Sequence, residues 1–155
     1  MYLRERLIYK DRETTCYRCP NKVENPIVSE RTRAATILYV DDCEPILASR
    51  RAYLGNHGYE VLTATTGATA LTRMQEGNVS LAVMDYELPD ITGVELARKF
   101  KTIRPSVPLI LLSGTVAEDL KIPSGLFNRV LLKGSRPGEL MEALRELLEC
   151  DSREV

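Results

Sequence analysis

The chain carries, at residues 36–42, the stretch TILYVDD. It is a nearly continuous run of apolar and β-branched residues that stops at a pair of aspartates. Such a run is typical of a strand that is covered on both faces of a parallel sheet. Short apolar runs of the same kind recur at residues 60–64, 81–84, 107–112 and 129–132. The repetition predicts βα units built around a parallel sheet.

Segments of helical period separate these runs. The predicted helices are 44–56, 67–76, 93–103, a short one near 116–121, and a final one after Pro137. The final helix has the clearest amphipathic pattern, with the apolar face Leu140, Met141, Ala143, Leu144, Leu147 and Leu148. Five strands each followed by a helix predict a doubly wound α/β fold, a five-stranded parallel sheet with helices on both faces.

Length and charge restrict the function classes. At 155 residues the chain is sized for one well-buried domain. Its 21 Lys and Arg against 22 Asp and Glu give a net charge of -1, which does not favour nucleic acid or an anionic membrane as a partner. No apolar run approaches the roughly 20 residues that span a bilayer, and the first residues are charged. We expect a cytoplasmic protein.

Residues 1–33 fit no element of the pattern and are interpreted as a polar extension, with the domain at residues 34–155. Within the extension, Cys16 and Cys19 have the spacing of half a zinc site, but no second pair or histidine lies nearby in the sequence. An incidental role is favoured, and zinc shared between two chains or redox activity are the alternatives. His57 lies in a turn and is interpreted as structural or solvated.

The residues that end the strands carry the candidate chemistry. In an open α/β sheet the ligand site lies outside the carboxyl ends of the strands, so these residues are expected to converge. They are Asp41, Asp42, Asp85, Ser113 and Lys133. Crowded carboxylates repel one another unless a cation lies among them. Carboxylate and carbonyl oxygens suit Mg²⁺, so the sequence predicts a magnesium site.

A carboxylate next to such a cation can act as a nucleophile toward phosphorus, while the cation and a lysine neutralise charge on the transferred group. Lys133 would supply the ammonium. The Ser113 hydroxyl could donate to a phosphoryl oxygen only when one is present. We therefore expect Asp85 to accept a phosphoryl group.

The order and spacing of these residues resemble the receiver domains of two-component response regulators, over almost all of residues 35–150. The motifs are the acidic pair Asp41-Asp42, Asp85 with Pro89 four residues on and then Gly93, Ser113-Gly114, and Lys133. The resemblance implies a flavodoxin-like, CheY-like fold and a phosphoacceptor rather than an enzyme. It also implies transfer from the phosphohistidine of a histidine kinase or phosphotransfer protein to Asp85.

For the metal, the resemblance implies Mg²⁺ held by Asp42, Asp85 and the Glu87 backbone carbonyl, with Asp41 acting through water. Because no further domain follows residue 150, we expect a stand-alone receiver that signals through contact with a downstream protein. Glu87 could also tune dephosphorylation, although a solvated loop carboxylate explains it equally well.

Three positions depart from the family pattern. Gly134 follows the lysine where the family usually has proline, and Val130 stands where it commonly has an aromatic residue that swings inward on phosphorylation. The stretch 113–133 also looks shortened, with Pro123 interrupting the fourth helix. Many regulators dimerise through that surface, so a homodimer stays an open expectation.

Other interpretations remain. Asp41, Asp42 and Asp85 could simply cap the helices that follow them, since aspartate is favoured there. The fold could also serve as a pseudo-receiver that binds proteins constitutively, or as a small phosphohydrolase with an aspartate nucleophile. The second class would need a general acid two residues after the nucleophile, where Glu87 stands, and a substrate cap.

Overall fold

The computed structural model describes residues 34–115 and 120–151. Within them the elements run β1 (Thr36–Val40), α1 (Glu44–Asn56), β2 (Glu60–Ala64), α2 (Gly67–Glu76), β3 (Leu81–Asp85), α3 (Gly93–Ile103), β4 (Leu109–Ser113), β5 (Arg129–Leu132) and α4 (Pro137–Asp151). The predicted strands and the first three predicted helices agree with these bounds to within two residues.

All neighbouring strands are parallel, and the sheet order is β2-β1-β3-β4-β5. The chain leaves β1 toward one edge of the sheet and then returns past it to β3. This reversal of direction makes the fold doubly wound and confirms the predicted fold class. Ligands of such sheets bind where the order reverses, outside the carboxyl ends of the strands.

Two apolar cores cover the two faces of the sheet. Side chains alternate between faces along a strand, so Leu38 and Val40 of β1 face one core while Ile37 and Tyr39 face the other. Helices α2 and α3 contribute to the first core, and helices α1 and α4 contribute to the second. Strands β1, β3 and β4 are buried along their whole length, which explains their continuous apolar sequence.

Local signals define the ends of α3. Thr92 accepts a hydrogen bond from the Glu95 N–H (3.2 Å), and the Glu95 carboxylate accepts one from the Thr92 N–H (3.3 Å), which together form a capping box. In the last turn of α3, Lys101 Nζ donates to two carbonyls that lie beyond the end of the helix, those of Pro105 (3.1 Å) and Val107 (2.8 Å). Hydrogen bonds therefore fix both ends of α3, which is the helix that follows Asp85 and its loop.

Several predictions fall outside the described residues. Residues 1–33, with Cys16 and Cys19, lie outside them, and so does most of the short helix expected near 116–121. Leu120 and Lys121, the described residues of that segment, are not helical. Among the described residues, no helix is both long and apolar enough to cross a membrane.

Candidate functional site

The carboxyl ends of the strands bring the predicted site residues together. Asp41 directly follows β1, Asp85 ends β3, and Ser113 ends β4. Their exposed fractions are only 2%, 4% and 2%. Lys133 follows β5, and its backbone N–H donates to the Ser113 carbonyl at 2.6 Å. Two buried carboxylates and a buried hydroxyl at one edge of the sheet mark this edge as the candidate site.

Lys133 reaches across the site to the acidic side chains. Its ammonium forms an ion pair and hydrogen bond with Asp85 Oδ2 and lies 3.9 Å from Asp41 Oδ2. Burial lowers the pKa of Lys133, but the hydrogen bond to Asp85 and the nearby carboxylate charges outweigh burial, so the pKa is raised overall. The lysine therefore stays charged at neutral pH.

One lysine does not neutralise this cluster. One carboxylate oxygen from each of Asp41, Asp42 and Asp85 lies within 4.8 Å of the others. Burial raises the pKa of the Asp41 carboxyl, and the neighbouring Asp85 and Asp42 charges add to it, against the opposing effects of the Cys43 N–H and Lys133. Three carboxylates facing one ammonium leave excess negative charge beside a set of oxygen donors. That donor set fits a hard divalent cation.

The helix-capping interpretation of these aspartates is wrong for the residues described. The residue at the N-cap of α1 is Cys43, which makes no side-chain capping bond, and the N-cap of α3 is Thr92. Asp41 Oδ1 instead accepts a hydrogen bond from the Cys43 N–H at 2.9 Å. The carboxylates are thus held at the site rather than used to begin helices.

Ser113, at the end of β4, and Glu87, in the loop between β3 and α3, border the acidic cluster. Ser113 Oγ accepts a hydrogen bond from the Thr115 N–H at 3.0 Å, which leaves its own O–H to donate elsewhere. The Glu87 N–H makes a long contact of 3.4 Å to Asp85 Oδ1, so the Glu87 main chain lies beside the carboxylate. The Glu87 side chain is exposed.

The turn that follows β5 and contains Lys133 has glycine, not proline, after the lysine. Gly134 has φ +88°, and the Ser135 N–H donates to the Leu132 carbonyl at 3.1 Å, which closes a turn with Lys133 and Gly134 at its centre. Only glycine adopts this φ without strain. The departure at Gly134 is therefore compatible with an ion pair between Lys133 and Asp85. Val130 is partly buried against the core formed with α2 and α3.

The main chain of the acceptor strand is approached closely by α3. A Cβ added at Gly93 would lie 2.4 Å from the Asp85 carbonyl oxygen and 3.1 Å from Tyr86 Cα. The Gly93 N–H donates to the Tyr86 carbonyl at 2.7 Å. Glycine is needed here because of this contact rather than because of its backbone angles.

The comparisons with known proteins agree with this geometry. Residues 37–145 match the model of the response regulator receiver domain. The chain belongs to the receiver domain family of two-component response regulators. It is 34% identical over 118 residues to the phosphate regulon transcriptional regulatory protein PhoB of Pseudomonas aeruginosa. The matched region covers 73% of this chain and 51% of PhoB. The chain spans between 11% and 54% of the length of the curated relatives it matches.

Two solved receivers show the same fold. A CheY-like receiver from Methanospirillum hungatei has TM-score 0.71 and 30% identity, covering 79% of this chain and 99% of that one. The response regulator TrrA from Thermotoga maritima, solved in complex with Mg²⁺-BeF, has TM-score 0.68 and 31% identity, covering 74% and 99%. The receiver family is a signalling phosphoacceptor family that binds Mg²⁺ at an acidic pocket, and this chain has such an acidic cluster.

Sequence reasoning missed two features next to the site. Tyr39 and Arg50 line a cavity of about 490 Å³ that also borders Lys133. Burial raises the pKa of Tyr39 to about 12. In addition, Asp90 binds the first turn of α2. Neither feature was predicted, because Tyr39 belongs to an apolar strand pattern and Asp90 to a loop, and local patterns do not show contacts between separate elements.

Proposed function

We propose that this receiver accepts a phosphoryl group on Asp85 from the phosphohistidine of a histidine kinase or phosphotransfer protein. The observation that carries the proposal is the pairing of Lys133 with a buried Asp85 inside a cluster of three carboxylates. A buried nucleophile with an ammonium at one oxygen and metal-binding oxygens beside it is the arrangement that phosphoryl transfer requires.

The roles of the side chains follow from their contacts. An Asp85 carboxylate oxygen attacks the donor phosphorus and an O–P bond forms. The P–N bond breaks with its electron pair left on the imidazole nitrogen, and the donor ring, protonated at its other nitrogen, leaves as neutral imidazole. Lys133 is close enough to shift from the carboxylate toward the phosphoryl oxygens, where it offsets their charge. The free O–H of Ser113 donates to one of these oxygens once the group has arrived.

Magnesium would be held by Asp42, Asp85 and the Glu87 carbonyl, with Asp41 binding through water. The excess negative charge of the cluster and the raised pKa of Asp41 support this assignment. When bound, the cation supplies charge neutralisation for the acceptor carboxylate and the phosphoryl oxygens. The Mg²⁺-BeF complex of TrrA, a relative at 31% identity, also supports a magnesium site in this chain.

The response would pass to another protein by direct contact. Val130 removes an aromatic switch from the position that the family commonly uses, so the structural change is expected to reach the surface by another route. The downstream partner would recognise the face around the acceptor loop, which is residues 86–92 between β3 and α3 and directly follows Asp85. Hydrolysis of the adduct would be the only turnover, and we class the protein as a phosphoacceptor rather than an enzyme.

The test is incubation with acetyl phosphate and Mg²⁺, followed by phosphate-affinity gels and intact mass. The wild-type chain should gain one phosphoryl group that is lost at alkaline pH, as expected of an acyl phosphate. Asp85→Asn should gain none. Lys133→Met should fold and bind Mg²⁺ but be phosphorylated on the order of 100-fold more slowly, because an electrostatic contact to the transferred group is missing. A wild-type chain without adduct refutes the proposal and favours the pseudo-receiver. An adduct that persists in Asp85→Asn refutes Asp85 as the acceptor.

A further inference from the structure

Asp90 connects the acceptor loop to the start of helix α2. Its carboxylate accepts hydrogen bonds from the Gly67 N–H at 2.8 Å and the Ala68 N–H at 2.9 Å. Gly67 and Ala68 form the first turn of α2, whereas Asp90 lies in the loop between β3 and α3. Both oxygens of one side chain are therefore used to hold together segments that are 22 and 23 residues apart.

A close packing contact reinforces the hydrogen bonds. A Cβ added at Gly67 would lie 2.1 Å from Ile91 Cγ2 and 3.4 Å from both carboxylate oxygens of Asp90. Gly67 is buried, and Ile91 packs against the core formed with α2 and α3. Asp90 and Ile91 of the loop thus both contact the start of α2. This close packing is possible only because residue 67 has no side chain.

Capping alone does not account for Asp90. Helix α2 has its own N-cap, Thr66, whose hydroxyl accepts from the Thr69 N–H at 3.1 Å. The Gly67 and Ala68 N–H groups hold the pKa of Asp90 below its usual range. The carboxylate is charged at neutral pH and lies at the positive end of the helix dipole.

The tether limits how the acceptor loop can move. The loop begins at Asp85 in β3, where the Gly93 N–H fixes the Tyr86 carbonyl at 2.7 Å. Glu87 follows Tyr86 in the loop, and Asp90 binds the far side of the loop to the start of α2. Glu87 consequently has an attachment on each side within three residues.

We propose that Asp90 is a positioning residue, which holds the Glu87 main chain beside the Asp85 carboxylate in the geometry that cation binding needs. The inference rests on the proposed function, because it assigns the Glu87 carbonyl to the magnesium site. Asp90 acts through the loop and touches neither the metal nor the phosphoryl group.

The test compares Asp90→Ala with Thr66→Ala, a matched control that removes a hydrogen bond from the same helix start without releasing the loop. Mg²⁺ is titrated and followed by amide NMR shifts. Asp90→Ala should weaken Mg²⁺ binding by on the order of 10-fold, as loss of an outer partner of a metal ligand does. Thr66→Ala should leave the Kd for Mg²⁺ within about twofold of wild type while lowering the melting temperature. Asp90→Asn, which keeps one acceptor oxygen, should lie between Asp90→Ala and wild type.

A metal-free measurement separates the inference from the proposed function. Amide hydrogen exchange without Mg²⁺ should be faster at Glu87 and Leu88 in Asp90→Ala than in wild type, and unchanged there in Thr66→Ala. Equal exchange rates and equal Mg²⁺ affinities in the two variants would overturn the positioning role. If wild type binds no Mg²⁺, the proposed function and the metal assignment both fail, and the exchange data alone decide whether Asp90 orders the loop.

Discussion

Replacing Gly93 with alanine tests the close approach of α3 to the acceptor strand. The added Cβ would lie 2.4 Å from the Asp85 carbonyl oxygen and 3.0 Å from Leu111 Cδ1. The Leu111 side chain can turn away, but the Asp85 carbonyl belongs to the main chain of a buried central strand. The start of α3 must therefore move outward, and the hydrogen bond from the Gly93 N–H to the Tyr86 carbonyl must lengthen or break.

The expected cost follows from these contacts. Overpacking in a well-packed region costs about 1–3 kcal/mol. A weakened hydrogen bond adds about 0.5–1.5 kcal/mol. The better helix propensity of alanine returns at most about 0.5 kcal/mol, because Gly93 is the first residue of α3 and not an interior one. We expect Gly93→Ala to lower the free energy of unfolding by about 2 kcal/mol, which a domain with about 5–15 kcal/mol of stability survives.

Urea unfolding followed by far-UV circular dichroism measures this change, with the midpoint expected to fall by on the order of 1 M. Gly55→Ala is the matched control, because Gly55 lies inside α1 with nothing within 4 Å of an added Cβ. It should gain about 0.5 kcal/mol from helix propensity alone. Because the same substitution is expected to act with opposite sign at the two positions, a Gly93→Ala protein as stable as Gly55→Ala would refute the close-approach argument.

Two further outcomes are expected. The pKa of Tyr39 is raised to about 12, so its neutral side chain contributes stability that is present below about pH 10 and lost as pH rises toward 12. In urea unfolding between pH 9 and 11, Tyr39→Phe should therefore lose less stability than wild type. Equal losses in the two proteins would contradict this. Because Gly134 has φ +88°, Gly134→Ala should lower the free energy of unfolding by about 1–2 kcal/mol. Gly134→Asn should lower it less, and Gly134→Pro, which introduces the usual family residue, should lower it more. A Gly134→Pro protein of wild-type stability in urea unfolding would disprove the turn geometry.

The sequence predicted the fold because each element carried its own local signal. The strands β1, β3 and β4 were continuous apolar runs, and such runs require cover on both faces. The start of β4 was predicted at Val107 but lies at Leu109, because Pro108 has no N–H to contribute to the ladder. The segment near 116–121 had a weak pattern interrupted by Pro123.

The sequence also determined the membership of the candidate site. Parallel strands all end at one edge of their sheet, so residues that end strands must converge there whatever the loops do. The tertiary structure decided which atoms meet: Lys133 pairs with Asp85, 48 residues away, and Asp90 holds the start of α2. Those contacts depend on the paths of the loops and on the close packing that Gly67 and Gly93 permit because they have no side chain. No local periodicity encodes them, because they arise only when distant segments are packed together.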